Sequence, residues 1–115
     1  MTVTIYHNPR CSKSRATLAL LEERDVELNI VTYLDAPPSE AELDQILTAL
    51  GKEPRDLMRK GEDPYTALGL DTEGLTREAL IKAMVENPIL IERPIVINGD
   101  KAAVGRPPES VLDII

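Results

Sequence analysis

The first 33 residues contain a strand, a turn, a helix and a second strand, and this order limits the possible folds more than any other feature. The alternating run Thr2–Ile5 predicts a strand, and Ala16–Glu23 predicts a helix entered from a turn. Val26–Tyr33 is rich in β-forming residues and predicts a second strand. Because a helical crossover joins parallel strands, we expect a β-α-β unit.

The middle of the chain, roughly residues 37 to 87, is predicted to be helical. Ser39 and Glu42 have the spacing of a capping box, and Gly51 is typical of a helix end. The apolar residues between them fall on one helical face: Leu43, Ile46, Leu47 and Leu50. A short helix is expected from Pro54, then a loop over residues 60–64, and a further helix from Thr76 that stops at Asn87 and Pro88.

The last third of the chain predicts two more strands and a closing helix. Asn98-Gly99 lies between two short apolar runs, which is typical of a β-hairpin. Pro107 or Pro108 suits the first turn of a helix with Val111, Leu112 and Ile115 inward. The fold class is therefore α/β: β-α-β, a helical insertion at about 37–87, then β-β-α with a mixed sheet, which is the thioredoxin-like plan. We expect one domain, residues 1–115.

Composition excludes several classes of protein. The chain of 115 residues has no Phe or Trp and three Tyr, so a modest aliphatic core is expected. Its net charge of −7 disfavours nucleic acid and anionic membranes as partners. No apolar stretch is long enough to cross a bilayer and no secretory signal is present, so the expected location is the cytoplasm. We expect a monomer that holds no metal.

The single cysteine, Cys11, lies at the predicted start of the first helix. Free N–H groups and the helix dipole favour an anion there, so the pKa of the thiol should fall. Arg10, Lys13 and Arg15 are expected to lower it further, and His7 precedes the turn. A lone cysteine is most often a small buried apolar residue, but this junction favours a reactive thiolate. One cysteine excludes an internal disulfide, so a redox cycle would borrow a thiol from another molecule.

Three arginines lie at junctions between elements rather than on helix faces: Arg59, Arg93 and Arg106. In the predicted fold, Arg93 and Arg106 flank the hairpin and converge on Cys11. A guanidinium donates paired hydrogen bonds and stays charged, which suits a tetrahedral oxyanion. Because the thioredoxin-like plan has a cis proline at the start of its third strand, we predict a cis Arg93–Pro94 bond.

These segments resemble the glutaredoxin-coupled arsenate reductases over essentially the whole chain. The resemblance is carried by His7-Asn8-Pro9-Arg10-Cys11-Ser12-Lys13-Ser14-Arg15, by Glu92-Arg93-Pro94-Ile95-Val96 and by Gly105-Arg106-Pro107. The best-known members have Gly-Thr where this chain has Ser12-Lys13, which indicates a sister group.

The resemblance implies a mechanism and a role for each matched residue. Cys11 would attack arsenate to form a thiolate–arsenate adduct, glutathione would add to the arsenic as co-substrate, and glutaredoxin would supply reduction, releasing arsenite without a bound cofactor. Arg59, Arg93 and Arg106 match the residues that bind the oxyanion. His7 matches a histidine that helps keep the thiol ionised, and Ser14 matches a serine beside the sulfur.

Three other functions remain open. A phosphatase-like enzyme is disfavoured, because such sites place arginine six positions after the cysteine and here Arg15 is four positions after Cys11. A thioredoxin-fold redox regulator that binds RNA polymerase is the second, although Ser14 occupies the position of the second cysteine of its usual switch. The third is a glutathione-dependent thiol oxidoreductase without arsenate specificity.

Overall fold

The computed structural model describes residues 2–115. The chain divides into two compact units. One is formed by the segment up to Ala36 together with Arg93–Ile115, and the other by Pro37–Glu92. The first unit contains the predicted β-α-β and β-β-α segments, and the second contains the predicted helical insertion.

A mixed four-stranded sheet is the centre of the first unit. Its strands are β1 (Thr2–Tyr6), β2 (Glu27–Val31), β3 (Ile95–Asn98) and β4 (Lys101–Val104), in the spatial order β2-β1-β3-β4. β1 pairs in parallel with β2, and the pairs β1–β3 and β3–β4 are antiparallel. This arrangement confirms the thioredoxin-like prediction and brings the start of β3 beside the end of β1, where Tyr6 pairs with Ile95.

The helix α1 (Ser12–Glu22) connects β1 to β2, and a 3-10 helix (Pro108–Ile114) closes the chain. The core cluster that holds these elements to the sheet is aliphatic, as composition predicted, and comprises Val3, Ile5, Leu21, Val96 and Val111. Elsewhere two of the three tyrosines, Tyr6 and Tyr33, are also buried. The prediction of inward Val111 is confirmed, whereas Leu112 and Ile115 are only partly buried.

The second unit holds the helices α2 (Glu40–Leu50), α3 (Asp63–Ala67) and α4 (Arg77–Glu86), with 3-10 turns at Pro54–Leu57 and Pro88–Leu90. The capping box at α2 is present in full, because Glu42 N–H donates to the Ser39 hydroxyl and Ser39 N–H donates to the Glu42 carboxylate. Gly51 ends α2 with a φ of 66°. Glycine adopts this left-handed conformation without steric cost.

Two local predictions were wrong in their boundaries. The residues 60–64 are not all loop, since α3 begins at Asp63 and takes Pro64 into its first turn, where the missing N–H is tolerated. The first helix begins at Ser12, directly after the cysteine, four residues earlier than its apolar pattern indicated. No helix among residues 2–115 has the length and apolarity that a membrane span requires.

Candidate active site

Cys11 is the N-cap residue of α1, with extended backbone angles of φ −94° and ψ 125°. A side chain at this position faces the free N–H groups of the first helical turn, at the positive end of the helix dipole. That first turn contains no acidic residue that would take the place of an anion at Cys11. The residue is only 9% exposed, so its sulfur is recessed, yet it lies at the helix end rather than in the aliphatic core.

The surroundings of the thiol have opposing effects on its pKa. Burial is the largest effect and raises the pKa of Cys11. Hydrogen bonding from the main-chain N–H groups of Ser14 and Lys13 lowers this pKa, and so do the charges of Arg93 and Arg106. The net result is a Cys11 pKa below its ordinary value. A larger fraction of the thiol is therefore ionised at neutral pH than in a free cysteine, and the thiolate is the nucleophilic form.

Arg106 contacts the sulfur directly. Its Nη2 donates a hydrogen bond to Cys11 Sγ at 3.5 Å, across 95 residues of sequence. The Nε of the same guanidinium donates to the main-chain carbonyl of Arg93 at 2.8 Å. Arg93 itself lies close enough for its charge to lower the Cys11 pKa, and its Nε and Nη1 atoms are shielded from solvent. The structure thus brings together Cys11, Arg93 and Arg106, as the sequence predicted.

The three cations beside Cys11 in sequence do not act as expected. Arg10, Lys13 and Arg15 are exposed, and their charges are not among the causes that lower the pKa of the thiol. Lys13 acts through its main-chain N–H, while the Nη1 of Arg15 donates to the carbonyl of Pro9 at 3.0 Å. Water screens exposed charges, so proximity in sequence was a poor guide to electrostatic effect.

His7 and Ser14 form a hydrogen-bonded pair beneath the turn. The His7 Nδ1 and the Ser14 Oγ are 2.7 Å apart, and the N–H of Asn8 donates to the same hydroxyl at 3.0 Å. Burial, followed by the charge of Arg15, lowers the pKa of His7 below its usual 6.5 against a smaller opposing effect of Glu22. The neutral form of the ring is therefore favoured at pH 7. The hydrogen-bond partner of the ring is Ser14 rather than the thiol, so the role of His7 in ionising Cys11 stays a prediction.

Gly105 permits a close approach between the end of β4 and α1. A Cβ atom at this position would overlap the hydroxyl of Thr17 and would stand 2.7 Å from Cγ of Pro94. The Gly105 N–H donates to the carbonyl of Pro94 at 2.9 Å, and the Arg93–Pro94 bond is cis, as predicted. A second cis bond, Arg106–Pro107, was not predicted. Sequence reasoning named Gly105 beside Arg106 but gave it no role, and it missed the fully buried Thr17.

Arg59 belongs to the second compact unit. Its Nη1 forms an ion pair with Glu62 Oε1 at 3.0 Å, and its main-chain N–H donates to the carbonyl of Leu90 at 2.7 Å. Both partners lie in the same unit. The role of Arg59 as an oxyanion ligand, taken from the resemblance, stays a prediction. Among residues 2–115 no group of three His, Cys, Asp or Glu side chains is arranged to hold a metal ion.

This fold and this geometry define a thioredoxin-fold protein with one activated thiol at the start of its first helix and a guanidinium beside it. A family model described as the ArsC family matches residues 6–114. The chain therefore belongs to the ArsC family.

Relatives and solved structures support this membership over the full length. The chain is 52% identical over 116 residues to an arsenate reductase of Haemophilus influenzae, covering all of both chains. It is 55% identical over 114 residues to the uncharacterized protein YfgD of Escherichia coli K12, covering 98% of this chain and 96% of that one. The structure of an arsenate reductase from Vibrio cholerae superposes with a TM-score of 0.95 at 49% identity, covering 100% of this chain and 98% of that one.

Proposed function

We propose that this chain is an arsenate reductase that uses the Cys11 thiolate as nucleophile and draws its electrons from glutathione and glutaredoxin. The observation that carries the proposal is the contact between Arg106 Nη2 and Cys11 Sγ at 3.5 Å. A nucleophile and an anion-binding group thus lie within reach of one bound oxyanion. Relatives of about 50% identity over nearly the whole chain that are named arsenate reductases support the choice of substrate.

The first chemical step, formation of the thiolate–arsenate adduct, consumes one proton. The Cys11 thiolate attacks arsenic, an As–O bond breaks, and hydrogen arsenate, the thiolate and a proton give a thiolate–arsenate adduct and water. Both reactants are anions, so they repel each other unless the site supplies compensating charge. Arg93, Arg106 and the N-terminus of α1 supply it in our proposal, since fixed donors stabilise the charge that develops on the oxyanion.

Reduction then requires two electrons, which two thiols supply as they become a disulfide. In sum, one hydrogen arsenate and two thiols give arsenite, one disulfide and one water. Cys11 is the only cysteine, so this chain cannot close a disulfide within itself and at least one reducing thiol must come from outside; in our proposal both do. Glutathione is proposed to add to the arsenic of the adduct as co-substrate, and glutaredoxin to provide the second thiol. No bound cofactor takes part, and we propose a cytoplasmic monomer.

The supporting roles follow from the same geometry. Ser14 joins His7 to the N–H of Asn8, so we propose that this pair holds the turn that presents Cys11. Because the pKa of His7 is lowered, its neutral ring would act by position rather than by charge. We propose Arg59 as a third oxyanion ligand on the resemblance alone, and its ion pair with Glu62 would then compete with the substrate.

The test is a coupled assay with purified protein, arsenate, glutathione, glutaredoxin, glutathione reductase and NADPH. We expect NADPH oxidation that depends on arsenate, is absent in Cys11→Ser, and persists in Arg24→Gln, which removes an exposed charge from the other end of α1. Reduction of a small disulfide without any response to arsenate would replace this proposal with a general thiol oxidoreductase. Capture of RNA polymerase without turnover would replace it with a regulator.

A further inference from the structure

The turn that presents Cys11 carries an exposed cluster of cations. Arg10, Lys13 and Arg15 all face solvent, and residues 6–15 contain no acidic side chain. The chain as a whole has a formal net charge of −7, so this local positive charge is opposite in sign to the protein that carries it. We refer to Arg10 and Lys13 as the cationic rim, because Arg10 precedes Cys11 and the main-chain N–H of Lys13 reaches its sulfur.

The cationic rim has no partner within the part of the chain that the structure describes. Among residues 2–115, neither rim side chain takes part in an ion pair or forms a hydrogen bond to another residue. Arg15 differs, since its Nη1 is bound to the carbonyl of Pro9. The charges of Arg10 and Lys13 are thus available to a molecule that approaches Cys11.

The side chains of the rim have no part in ionising the thiol, and the main-chain N–H of Lys13, which does lower its pKa, is kept when the side chain is replaced. The side-chain charges that lower the pKa of Cys11 are those of Arg93, which lies just before β3, and Arg106, which lies just after β4. Removal of the rim should therefore leave the nucleophile as reactive as before. A role in recognition can be separated by experiment from a role in activation.

The proposed function supplies the class of molecule that must reach this position, and the inference rests on it. An external thiol has to approach Cys11 after the first chemical step, because the chain contains no second cysteine. The sulfur is recessed, with Cys11 only 9% exposed, which favours a slender molecule over a folded protein surface. Exposed ammonium and guanidinium groups bind carboxylates by charge-assisted hydrogen bonds.

We propose that Arg10 and Lys13 bind the carboxylates of a small anionic thiol of the glutathione class and hold its sulfur at Cys11. The rim then selects the reductant by charge, while Arg93 and Arg106 are left for the oxyanion. Preference among thiols should follow their charge and should weaken as salt screens the rim.

The test needs no arsenate, so it remains informative if the proposed reductase activity fails. Cys11 is first converted to a neutral mixed disulfide with 2,2′-dithiodipyridine. Release of thiopyridone is then timed with glutathione, which is anionic, with mercaptoethanol, which is neutral, and with cysteamine, which is cationic. Rates are compared per thiolate for the wild type, for Lys13→Gln and for Arg10→Gln/Lys13→Gln.

We expect the ratio of the glutathione rate to the mercaptoethanol rate to fall about tenfold in the double variant, at the lower end of electrostatic steering effects. The mercaptoethanol rate should stay at the wild-type value and the cysteamine rate should rise. Arg24→Gln is the matched control, because it removes one exposed charge at the far end of a helix roughly 16 Å long. Its ratio should equal that of the wild type.

Three results would overturn the proposal. An unchanged ratio in the double variant would show that the rim does not recognise carboxylates. An equal fall with all three thiols would show that the cations act on Cys11 itself. Glutaredoxin, a protein dithiol, is added as a fourth reductant. If it reacts more slowly with the double variant than with the wild type while the ratio of the glutathione rate to the mercaptoethanol rate is unchanged, the rim binds an acidic protein surface instead.

Discussion

Arg106 is fixed to the main chain of Arg93, because its Nε donates to the Arg93 carbonyl at 2.8 Å while its Nη2 donates to the sulfur of Cys11 at 3.5 Å. One planar group therefore bridges the strand entry that precedes Pro94 and the N-terminus of α1. The carbonyl orients the guanidinium, and the guanidinium in turn stabilises the thiolate. Only a side chain with several donors in a rigid fork can make both bonds at once.

Arg106→Lys should therefore behave as a loss of function although it keeps the charge. A lysine has one nitrogen and no fork, so it cannot hold both the Arg93 carbonyl and the thiolate in the same geometry. We expect the Cys11 pKa to rise and turnover in the coupled assay to fall by about 10²–10³, the usual effect of removing one oxyanion donor. Arg24→Lys is the control. Wild-type turnover in Arg106→Lys would show that charge alone suffices.

Arg93→Ala tests the other arginine and keeps the main-chain carbonyl of residue 93, to which the Nε of Arg106 donates. Of the two arginine charges, that of Arg93 has the larger effect on the Cys11 pKa. We expect the thiol pKa to rise at least as far as in Arg106→Ala, and turnover to fall by about 10²–10³. Urea unfolding should show a much smaller relative loss of stability. Equal activity in Arg93→Ala and the wild type would remove this residue from the mechanism.

Gly105→Ala should move the guanidinium of Arg106 away from the thiol. The new methyl group would overlap the Thr17 hydroxyl and crowd Pro94, and overpacking of this kind costs about 1–3 kcal/mol of unfolding free energy. Because Arg106 is the next residue, we also expect the Cys11 pKa to rise, which a purely structural defect elsewhere would not cause.

The control for Gly105→Ala is Gly61→Ala, at a position with no atom within 4 Å of the new methyl group and no left-handed backbone. It should leave both the stability and the thiol pKa close to those of the wild type. A Gly105→Ala variant that lost stability but kept an unchanged Cys11 pKa would show that Gly105 does not position Arg106.

His7 should make the fold less stable in mild acid. Its pKa in the folded protein lies below the usual 6.5, so the unfolded chain binds a proton first as the pH falls. The free energy of unfolding should thus decrease below about pH 6.5, by at most about 1.4 kcal/mol per pH unit, until His7 titrates in the fold. In His7→Gln this contribution should vanish. In urea titrations, the wild type is expected to lose more unfolding free energy than His7→Gln between about pH 7.5 and 5.5. Equal losses in the two proteins would show that His7 does not cause this pH dependence.

The local elements could be predicted because their signals lie within a few residues of each other. The capping box of Ser39 and Glu42, the helix end at Gly51 and the hairpin at Asn98-Gly99 all formed as their sequence patterns indicated. The short helix α3 was missed because five residues are too few to show an apolar period. Its one proline, Pro64, and its one acidic residue, Asp63, are equally typical of a loop.

The electrostatics of the site could not be predicted in the same way. Arg10, Lys13 and Arg15 were expected to lower the pKa of Cys11 because they are its neighbours in sequence, yet they face solvent. The charges that act come from Arg93 and Arg106, and Arg106 is 95 residues away along the chain. Their convergence followed from the predicted fold, but the relative effects of burial and screening depend on three-dimensional positions.

We propose that Cys11 is held as a thiolate in a place that also binds a tetrahedral anion. The most direct test is the pKa of the Cys11 thiol, followed by thiolate absorbance, with sulfate and with sodium chloride at equal ionic strength. We expect the Cys11 pKa to lie below the ordinary cysteine value in chloride and to be higher in sulfate, because a bound anion repels the thiolate. An ordinary pKa that is the same in both salts would contradict it.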